Sequence, residues 1–200
     1  MGWRSPITDH DRLVPPDRLV YLNRKYAPIR IFGGIEVTTH GKHLLVLGVE
    51  DQRLEEGWWA YPDLYSFVLA RGGFLSVAHP FRFNQGRIGV DLDRFPSDAL
   101  EMYSRNTPTA QASRIAGVAA KIGASVLSDS DAHGAHDVGL HYIVLGEEAQ
   151  DTAELVRMLK DGAFEPVAPQ LGVLCHCVKA LLPLHQGFGD RRGDGRRSFT

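Results

Sequence analysis

The sequence alternates between short runs rich in β-branched residues and helical patterns, and each run is closed by Gly or Pro. This alternation is typical of βα units that build a parallel sheet covered by helices. It predicts strands over residues 29–37, 43–49, 73–78, 99–103, 124–128 and 141–145. Predicted helices cover residues 16–26, 62–72, 108–123 and 151–162. We therefore expect an α/β fold, with one domain over residues 1–188.

The composition is that of an ordinary globular protein. The chain has 200 residues, of which 44% are hydrophobic, and this is enough for one sizeable core. With 22 Lys and Arg against 24 Asp and Glu, the formal net charge is −2, so no overall basic field predicts a nucleic-acid partner. No apolar run approaches the length of a membrane span, and no secretory signal begins the chain. We expect a cytoplasmic protein without membrane contact.

Two features near the end of the chain have structural interpretations. Residues 189–200 combine four Arg with three Gly and show no regular period, which predicts a disordered basic tail. Cys175 and Cys177 flank His176 in the manner of a metal tripod. They stand in an apolar, helix-like run, however, so small buried thiols are the expected role. Their close spacing also opposes a disulfide, which fits a reducing compartment.

Four predicted strands end in, or lead directly to, a His, Asp or Glu. These strand ends are Ile7-Thr8-Asp9-His10, Gly34-Ile35-Glu36-Val37, Ser76-Val77-Ala78-His79-Pro80 and Val126 to His133. In a parallel αβ fold the carboxyl ends of the strands share one face, so we expect these side chains to converge. His43, which opens the next apolar run, is expected to join them. The strand that ends at Ile7 is expected to be buried.

A mixed set of imidazoles and carboxylates suits Zn²⁺, Mn²⁺ or Fe²⁺. A carboxylate such as Glu36 can bridge two ions, and a two-metal clamp stabilises the attacking and leaving oxygens in a displacement at phosphorus. Arg82, two residues after Pro80, is placed to neutralise charge on the phosphoryl oxygens. The pattern therefore predicts hydrolysis of a phosphate ester by metal-activated water.

Each of these pieces also has a structural explanation when it is taken alone. A single His-Pro or Asp-x-His is usually a loop feature, but their joint occurrence at four strand ends favours a metal site. His136, in the same loop as His133, is a candidate substrate contact. His40 and His141 are expected to be exposed or edge-strand residues.

Five segments in chain order resemble the motifs of the PHP (polymerase and histidinol phosphatase) domain family. They are ITDHD, GGIEVTTHGKHLLVLG, SVAHPFR, DALEMYSRN and SDSDAH with the DVG that follows. The resemblance implies a distorted (β/α)7 TIM-like barrel that holds up to three divalent metal ions and hydrolyses phosphomonoesters or phosphodiesters. Small nucleotides or nucleoside phosphates are the substrate class that it suggests.

The resemblance also implies roles for individual residues. Metal ligands by matching motifs are His10, Glu36, His43, His79, Asp131 and His133. Among them, Glu36 would bridge two metals, His43 and His79 would complete one site and Asp131 the other, and His10 with His133 would hold a third. Arg82 would contact the phosphate. The expected catalytic residues are Arg82 and Asp131, and the expected substrate contacts are Arg82 and His136.

The chain departs from the family pattern at its start, because no strand with a His-x-His motif precedes ITDHD. We therefore expect an N-terminally truncated barrel that lacks its first strand and helix and holds fewer than three metals, with Glu36, His43 and His79 as the one full triad. Its exposed strand edges would be open to a partner chain. The alternative function is an impaired or truncated PHP module that binds metal or a protein without turnover. A zinc amidohydrolase would need a metal-bridging Lys at a strand end, and none stands at the right place.

Overall fold

The structure is a computed structural model, and it describes residues 2–82 and 86–168. The predictions for residues 189–200 and for Cys175, His176 and Cys177 lie outside the described residues.

Six strands form one sheet in which spatial order follows chain order. They are β1 (Arg4–Ile7), β2 (Arg30–Thr39), β3 (Lys42–Leu47), β4 (Phe74–Val77), β5 (Ala99–Tyr103) and β6 (Ser125–Ser128). Two further strands, β7 (Tyr142–Leu145) and β8 (Phe164–Val167), pair with each other. The helices are α1 (Pro16–Lys25), α2 (Tyr61–Leu69), α3 (Ala112–Ile122) and α4 (Thr152–Lys160), with short 3₁₀ segments at Gln52–Glu56 and Thr109–Gln111.

The predicted elements are present, and their ends have local physical causes. The Asp151 side chain accepts a hydrogen bond of 2.8 Å from the backbone N–H of Glu154 and so caps α4. Gly123 ends α3 in the left-handed conformation, with φ of 73°, which glycine adopts at little cost. These cap and stop residues were the signals that located the helices in the sequence.

The expectation of a parallel sheet is wrong for β3. This strand pairs antiparallel with β2 and with β4, whereas β1 with β2, β4 with β5, and β5 with β6 are parallel pairs. Only His40 and Gly41 connect β2 to β3, and both have positive φ, at 45° and 76°. A two-residue connection with this backbone makes a tight hairpin, because a parallel crossover needs a dozen or more residues.

Two other strand predictions also need correction. The strand at residues 142–145 does not join the main sheet but pairs with β8, which the sequence analysis missed. Strand β1 is not buried, since its central residues Ser5 and Pro6 are exposed. It lies at the edge of the sheet, where a proline that cannot donate a ladder hydrogen bond is tolerated.

The main sheet curls into a half-barrel, and the segment around β7 and β8 contacts both of its edge strands. On the β1 side, Arg4 forms an ion pair of 2.9 Å with Glu148 and donates to the backbone oxygen of Ala149 at 3.0 Å. On the β6 side, Ser128 Oγ donates to the backbone oxygen of Val167 at 2.6 Å. The architecture is therefore a mixed α/β fold with a partial barrel.

The core lies between the curled sheet and the helices. One apolar cluster joins strands β2 to β6 with α2 and α3, and it includes Leu64, Leu100 and Ile115 with no exposed surface. A second cluster packs α4 against Phe74 and Leu127. None of the helices in the described ranges has the length and apolar character that a membrane span requires.

Replacement of Leu64 by Ala tests this packing. Leu64 is fully buried on α2, so Leu64→Ala should lower the free energy of unfolding by about 2–5 kcal/mol. Leu69 lies at the end of the same helix and is 57% exposed, so Leu69→Ala should change it by no more than about 0.5 kcal/mol. Urea unfolding followed by circular dichroism measures both. Equal losses in the two variants would contradict the placement of α2.

Candidate metal centre

The sequence-predicted ligands gather at one end of the main sheet. His10 follows β1, Glu36 lies in β2, His79 follows β4, and Asp131 with His133 follow β6. His43 is the second residue of β3, and it reaches the same end only because β3 runs antiparallel to its neighbours. The convergence thus depends on the hairpin at His40 and Gly41 as well as on the carboxyl ends of the parallel strands.

Glu36 is at the centre of this group. Its Oε1 lies 2.8 Å from Nδ1 of His43 and 3.6 Å from Nε2 of His79, and its Oε2 lies 3.8 Å from Nε2 of His10. Ligand atoms of His10, Glu36 and His43 all lie within 4.8 Å of one another. The rings of His10 and His43 have centroids 4.7 Å apart, and those of His43 and His79 are 4.8 Å apart. Three imidazoles therefore face one carboxylate.

The burial of Glu36 makes this arrangement unusual. Its side chain is only 8% exposed, and Oε1 has no hydrogen-bond partner by geometry, although imidazole nitrogens stand close to it. Burial alone would raise the pKa of Glu36, but the neighbouring imidazoles of His43 and His79, with His10 beside them, outweigh it and lower the pKa to about 2. A buried carboxylate oxygen without a hydrogen-bond partner, surrounded by imidazole nitrogens, is typical of a cation site whose ligand atoms face a common centre.

Backbone hydrogen bonds hold His10 beside Glu36. The N–H of Asp11 donates to the oxygen of Glu36 at 2.9 Å, and the N–H of Glu36 donates to the oxygen of Asp9 at 3.1 Å. The Asp11 carboxylate accepts from Thr38 N–H at 2.7 Å and from Thr38 Oγ1 at 2.8 Å. Asp11 has a φ of 51°, a conformation that costs energy for a non-glycine residue. These four hydrogen bonds fix that strained turn.

The loop after β6 brings a second group of ligands to the same place. Asp131 is buried to 8% exposure, and its Oδ2 accepts a hydrogen bond of 2.6 Å from Nδ2 of Asn106. Its Oδ1 lies 3.6 Å from Nδ1 of His133, whose ring centroid is 6.2 Å from that of His10. Asp131 and His79 have φ values of 42° and 29°, so both ligand candidates stand on strained backbone. Such strain is concentrated at functional sites.

Sequence analysis missed two carboxylates near these ligands, the buried Glu101 and the half-buried Asp129. Glu101 lies inside β5 and accepts hydrogen bonds from the hydroxyls of Ser104 and Thr107. Burial raises its pKa. Burial, followed by the charges of Glu101 and Asp131, holds the pKa of Asp129 well above its usual range, and Asp129 Oδ2 is buried without a hydrogen-bond partner. An acidic residue at the centre of the apolar strand ALEMY was the available signal for Glu101.

These residues fit a divalent cation. Like-charged carboxylates in one low-dielectric site raise the free energy of the folded state, and a cation between them removes that repulsion. Imidazole nitrogens together with carboxylate oxygens form the donor set of zinc and related transition metals. Glu36 and Asp129 each have a buried oxygen without a hydrogen-bond partner. The structure thus has a candidate His-Glu-His metal site with further carboxylates beside it.

The two predicted substrate contacts lie around this group. Arg82 is exposed in the turn after His79, where its N–H donates to the oxygen of His79 at 3.0 Å. His136 is 75% exposed, and its Nε2 lies 3.2 Å from the buried Asp137 carboxylate. Arg105, which the sequence analysis did not consider, contacts the same carboxylate oxygen. Lys42 precedes His43, but its Nζ donates to the oxygen of Pro80 at 3.2 Å.

Replacement of the ionisable Asp129 tests the repulsion among the carboxylates. In Asp129→Asn the amide oxygen still accepts from the N–H of Asp131, but the carboxyl group, whose charged form is disfavoured without metal, is lost. We expect the metal-free variant to be more stable than the metal-free parent, and its affinity for Zn²⁺ or Mn²⁺ to fall about tenfold or more. Thermal melts with and without metal, together with metal titration, measure both changes.

The control for this test is Asp93→Asn. Asp93 is 66% exposed and pairs with Lys121 at the surface, so its replacement should change metal affinity little. Loss of stability in metal-free Asp129→Asn, or an unchanged metal affinity, would contradict the electrostatic account.

Solved structures with low sequence identity share this fold. A two-domain protein from Bacteroides vulgatus that contains a predicted PHP-like metal-dependent phosphoesterase has a TM-score of 0.61 at 13% identity, over 83% of this chain and 56% of that chain. A protein from Bifidobacterium adolescentis, proposed to be a metal-dependent phosphoesterase, has a TM-score of 0.51 at 16% identity, over 78% and 85%. An amidohydrolase from Chromobacterium violaceum has a TM-score of 0.53 at 15% identity, over 83% and 88%. This chain therefore spans little more than half of the first protein.

Sequence comparison adds a family match. None of the curated proteins matches the chain. Residues 112–164, which include α3, β6 and α4, match the PHP-associated family. This match covers about a quarter of the chain, and the PHP-like solved structures show that its fold is shared with such proteins.

Proposed function

We propose that this protein is a metal-dependent phosphoesterase, a hydrolase that acts on a small phosphorylated substrate. The observation that carries the proposal is the buried Glu36 carboxylate, whose oxygens lie within 4 Å of imidazole nitrogens of His43, His79 and His10. The fold neighbours support hydrolase chemistry in general. The phosphate ester as substrate, and Zn²⁺, Mn²⁺ or Fe²⁺ as the metal, are parts of the proposal.

The resemblance to the PHP family implies the ligand roles. Glu36 would bridge two ions, with His43 and His79 on one of them and Asp131 on the other. His10 is near enough to Glu36 to share one of these ions, or it can join His133 at a third position. When bound, the ions would supply Lewis-acid activation of water and neutralise the charge on the phosphoryl oxygens.

The surrounding residues would orient these groups. Asn106 fixes the rotamer of Asp131 through the bond to Oδ2, which leaves Oδ1 for a ligand or substrate. Arg82, on the turn that carries His79, would reach the phosphoryl oxygens from the rim. His136 would contact the substrate further out, since most of its ring is exposed.

We further propose that the half-barrel is part of a distorted (β/α)7 barrel. Within residues 2–82 and 86–168, β1 pairs with β2 alone. A further strand, from this protein or from a partner chain, would pair with the outer edge of β1 and complete the wall beside His10. The alternative is a module that binds metal or a protein partner without turnover.

Amide hydrolysis is the second activity to test, because one fold neighbour is an amidohydrolase. In that reading a lysine would lie among the metal ligands. Lys42 is the lysine next to a ligand candidate, yet its ammonium group binds the oxygen of Pro80. The phosphate ester is therefore the favoured substrate, and a panel of amides serves as the comparison.

His79→Ala tests the proposed site. His79 is 3% exposed and faces Glu36, so its loss should lower kcat/KM for phosphate release by more than about a hundredfold. Loss of a residue that only supports a metal ligand typically costs no more than about a hundredfold. Phosphate release from a panel of nucleotides and simple phosphate esters, with Zn²⁺ or Mn²⁺ added, is the measurement. Circular dichroism checks that the fold survives.

The matched control is His40→Asn. His40 is an exposed residue of the β2–β3 turn with a φ of 45°, and asparagine tolerates this conformation. The variant should retain the rate of the parent protein. A full rate in His79→Ala would show that the site is misassigned, and metal binding without any turnover in the parent would favour the non-catalytic module.

A further inference from the structure

Two side chains that can bind anions stand together over one buried carboxylate beside the metal ligands. Nη1 of Arg105 lies 2.9 Å from Nε2 of His136, and both residues contact Oδ1 of Asp137. The Asp137 side chain is 2% exposed, whereas Arg105 is 51% exposed and His136 is 75% exposed. The Arg105 guanidinium keeps the pKa of Asp137 below its usual value despite the effect of burial. The buried carboxylate thus pairs with the Arg105 guanidinium, and the His136 ring lies beside this pair.

The pair is tied to the metal centre on both sides. Asp137 Oδ2 accepts a hydrogen bond of 3.2 Å from the N–H of His133. Asn106, the residue after Arg105, donates to Oδ2 of Asp131 at 2.6 Å. Arg105 and His136 therefore lie on the Asp131 side of the site. Each is next in sequence to a residue, Asn106 or Asp137, that contacts a ligand candidate.

Arg105 and His136 have N–H groups that could bind a ligand. The hydrogen bonds of Arg105 to described residues all involve Nη1, so Nε and Nη2 remain for a planar acceptor such as a phosphate or a carboxylate. When Nε2 of neutral His136 accepts from the guanidinium, the ring proton lies on Nδ1 and makes a further donor. A purely structural partner for Asp137 would need neither the second donor residue nor this exposure.

The backbone leaves room for the imidazole of this pair. A Cβ atom at Gly134 would lie 2.8 Å from Cε1 of His136 and 3.0 Å from its Nδ1. Since Cβ atoms essentially never approach so closely, a larger residue at 134 would displace the ring. Gly134 therefore permits the side-by-side placement of His136 and Arg105.

We propose that Arg105 and His136 form a second anion subsite, which selects phosphate esters whose organic part carries another anionic group, either a phosphate or a carboxylate. This inference rests on the proposed function, in which metal ions held by Glu36 and its neighbours would meet the reacting phosphate. The subsite would hold the distal anion and thereby orient the ester towards the metals.

The test is ligand binding rather than turnover. The full-length, Mn²⁺-loaded protein is titrated calorimetrically with three probes that are not hydrolysed: propylphosphonate, 3-phosphonopropionate and propane-1,3-bisphosphonate. At least one of the two probes with a second anionic end should bind about tenfold or more tightly than propylphosphonate, as a charge-assisted contact implies. A gain for the bisphosphonate alone would identify the distal group as phosphate, and a gain for both would show that the subsite accepts either anion.

Three variants assign the gain to the subsite. Arg105→Met and His136→Gln should each lose most of the tenfold preference while the Kd of propylphosphonate stays within about twofold. Gly134→Ala removes no donor and should weaken the preference through displacement of the ring. Arg157→Met is the matched control, because Arg157 lies on α4 by the cavity at the far end of the sheet and should leave all three Kd values unchanged.

Other results would overturn the inference. Equal Kd values for all three probes in the parent protein would show that no distal subsite exists. A Kd for propylphosphonate that rises in Arg105→Met as much as the other two would show that Arg105 only supports the loop of His133. The proposed function fails separately, if the parent protein binds the probes with the expected preference but releases no phosphate from any ester.

Discussion

A carboxylate buried beneath three imidazoles is the constraint on which the rest of the structure depends. Glu36 lies in a long, buried strand, where an ionised group without a partner costs several kcal/mol. Oε1 has no hydrogen-bond partner, and burial together with the charges of Glu101 and Asp131 disfavours the charged form of the nearby Asp129. A divalent cation would give Oε1 a partner and would also offset the repulsion among the carboxylates. The strained backbone at His79 and Asp131 is then the cost of aiming ligands at one point.

The fold supplies this geometry through a single reversal of direction. Parallel strands alone would place His10, Glu36, His79 and Asp131 at their carboxyl ends, but His43 begins its strand. The two-residue hairpin at His40 and Gly41 turns β3 antiparallel, so that its start meets the ends of β2 and β4. The segment around β7 and β8 then touches β1 and β6, which keeps the half-barrel curled and brings His133 towards His10.

Much of this was predictable from local sequence. Caps and stops such as Asp151 and Gly123 located the helices, and apolar runs located the strands of the main sheet. The grouping of His10, Glu36, His43 and His79 followed from their places at strand ends. The direction of β3 was also predictable, because Thr39-His40-Gly41-Lys42 leaves no room for a crossover.

The pairing of β7 with β8 could not be predicted from local sequence, since strand partners depend on contacts that are distant in the chain. Glu101, Asp129 and Arg105 were overlooked because the role of a single acidic residue or arginine depends on neighbours that are distant in the sequence.

The most direct test is a crystal of the protein grown with Mn²⁺ or Zn²⁺ and measured at the metal absorption edge. The account predicts an anomalous peak about 2.0–2.2 Å from a Glu36 oxygen and from an imidazole nitrogen of His43. A metal-saturated crystal in which the peaks lie elsewhere, with Glu36 Oε1 bonded only to water or to protein, would contradict it.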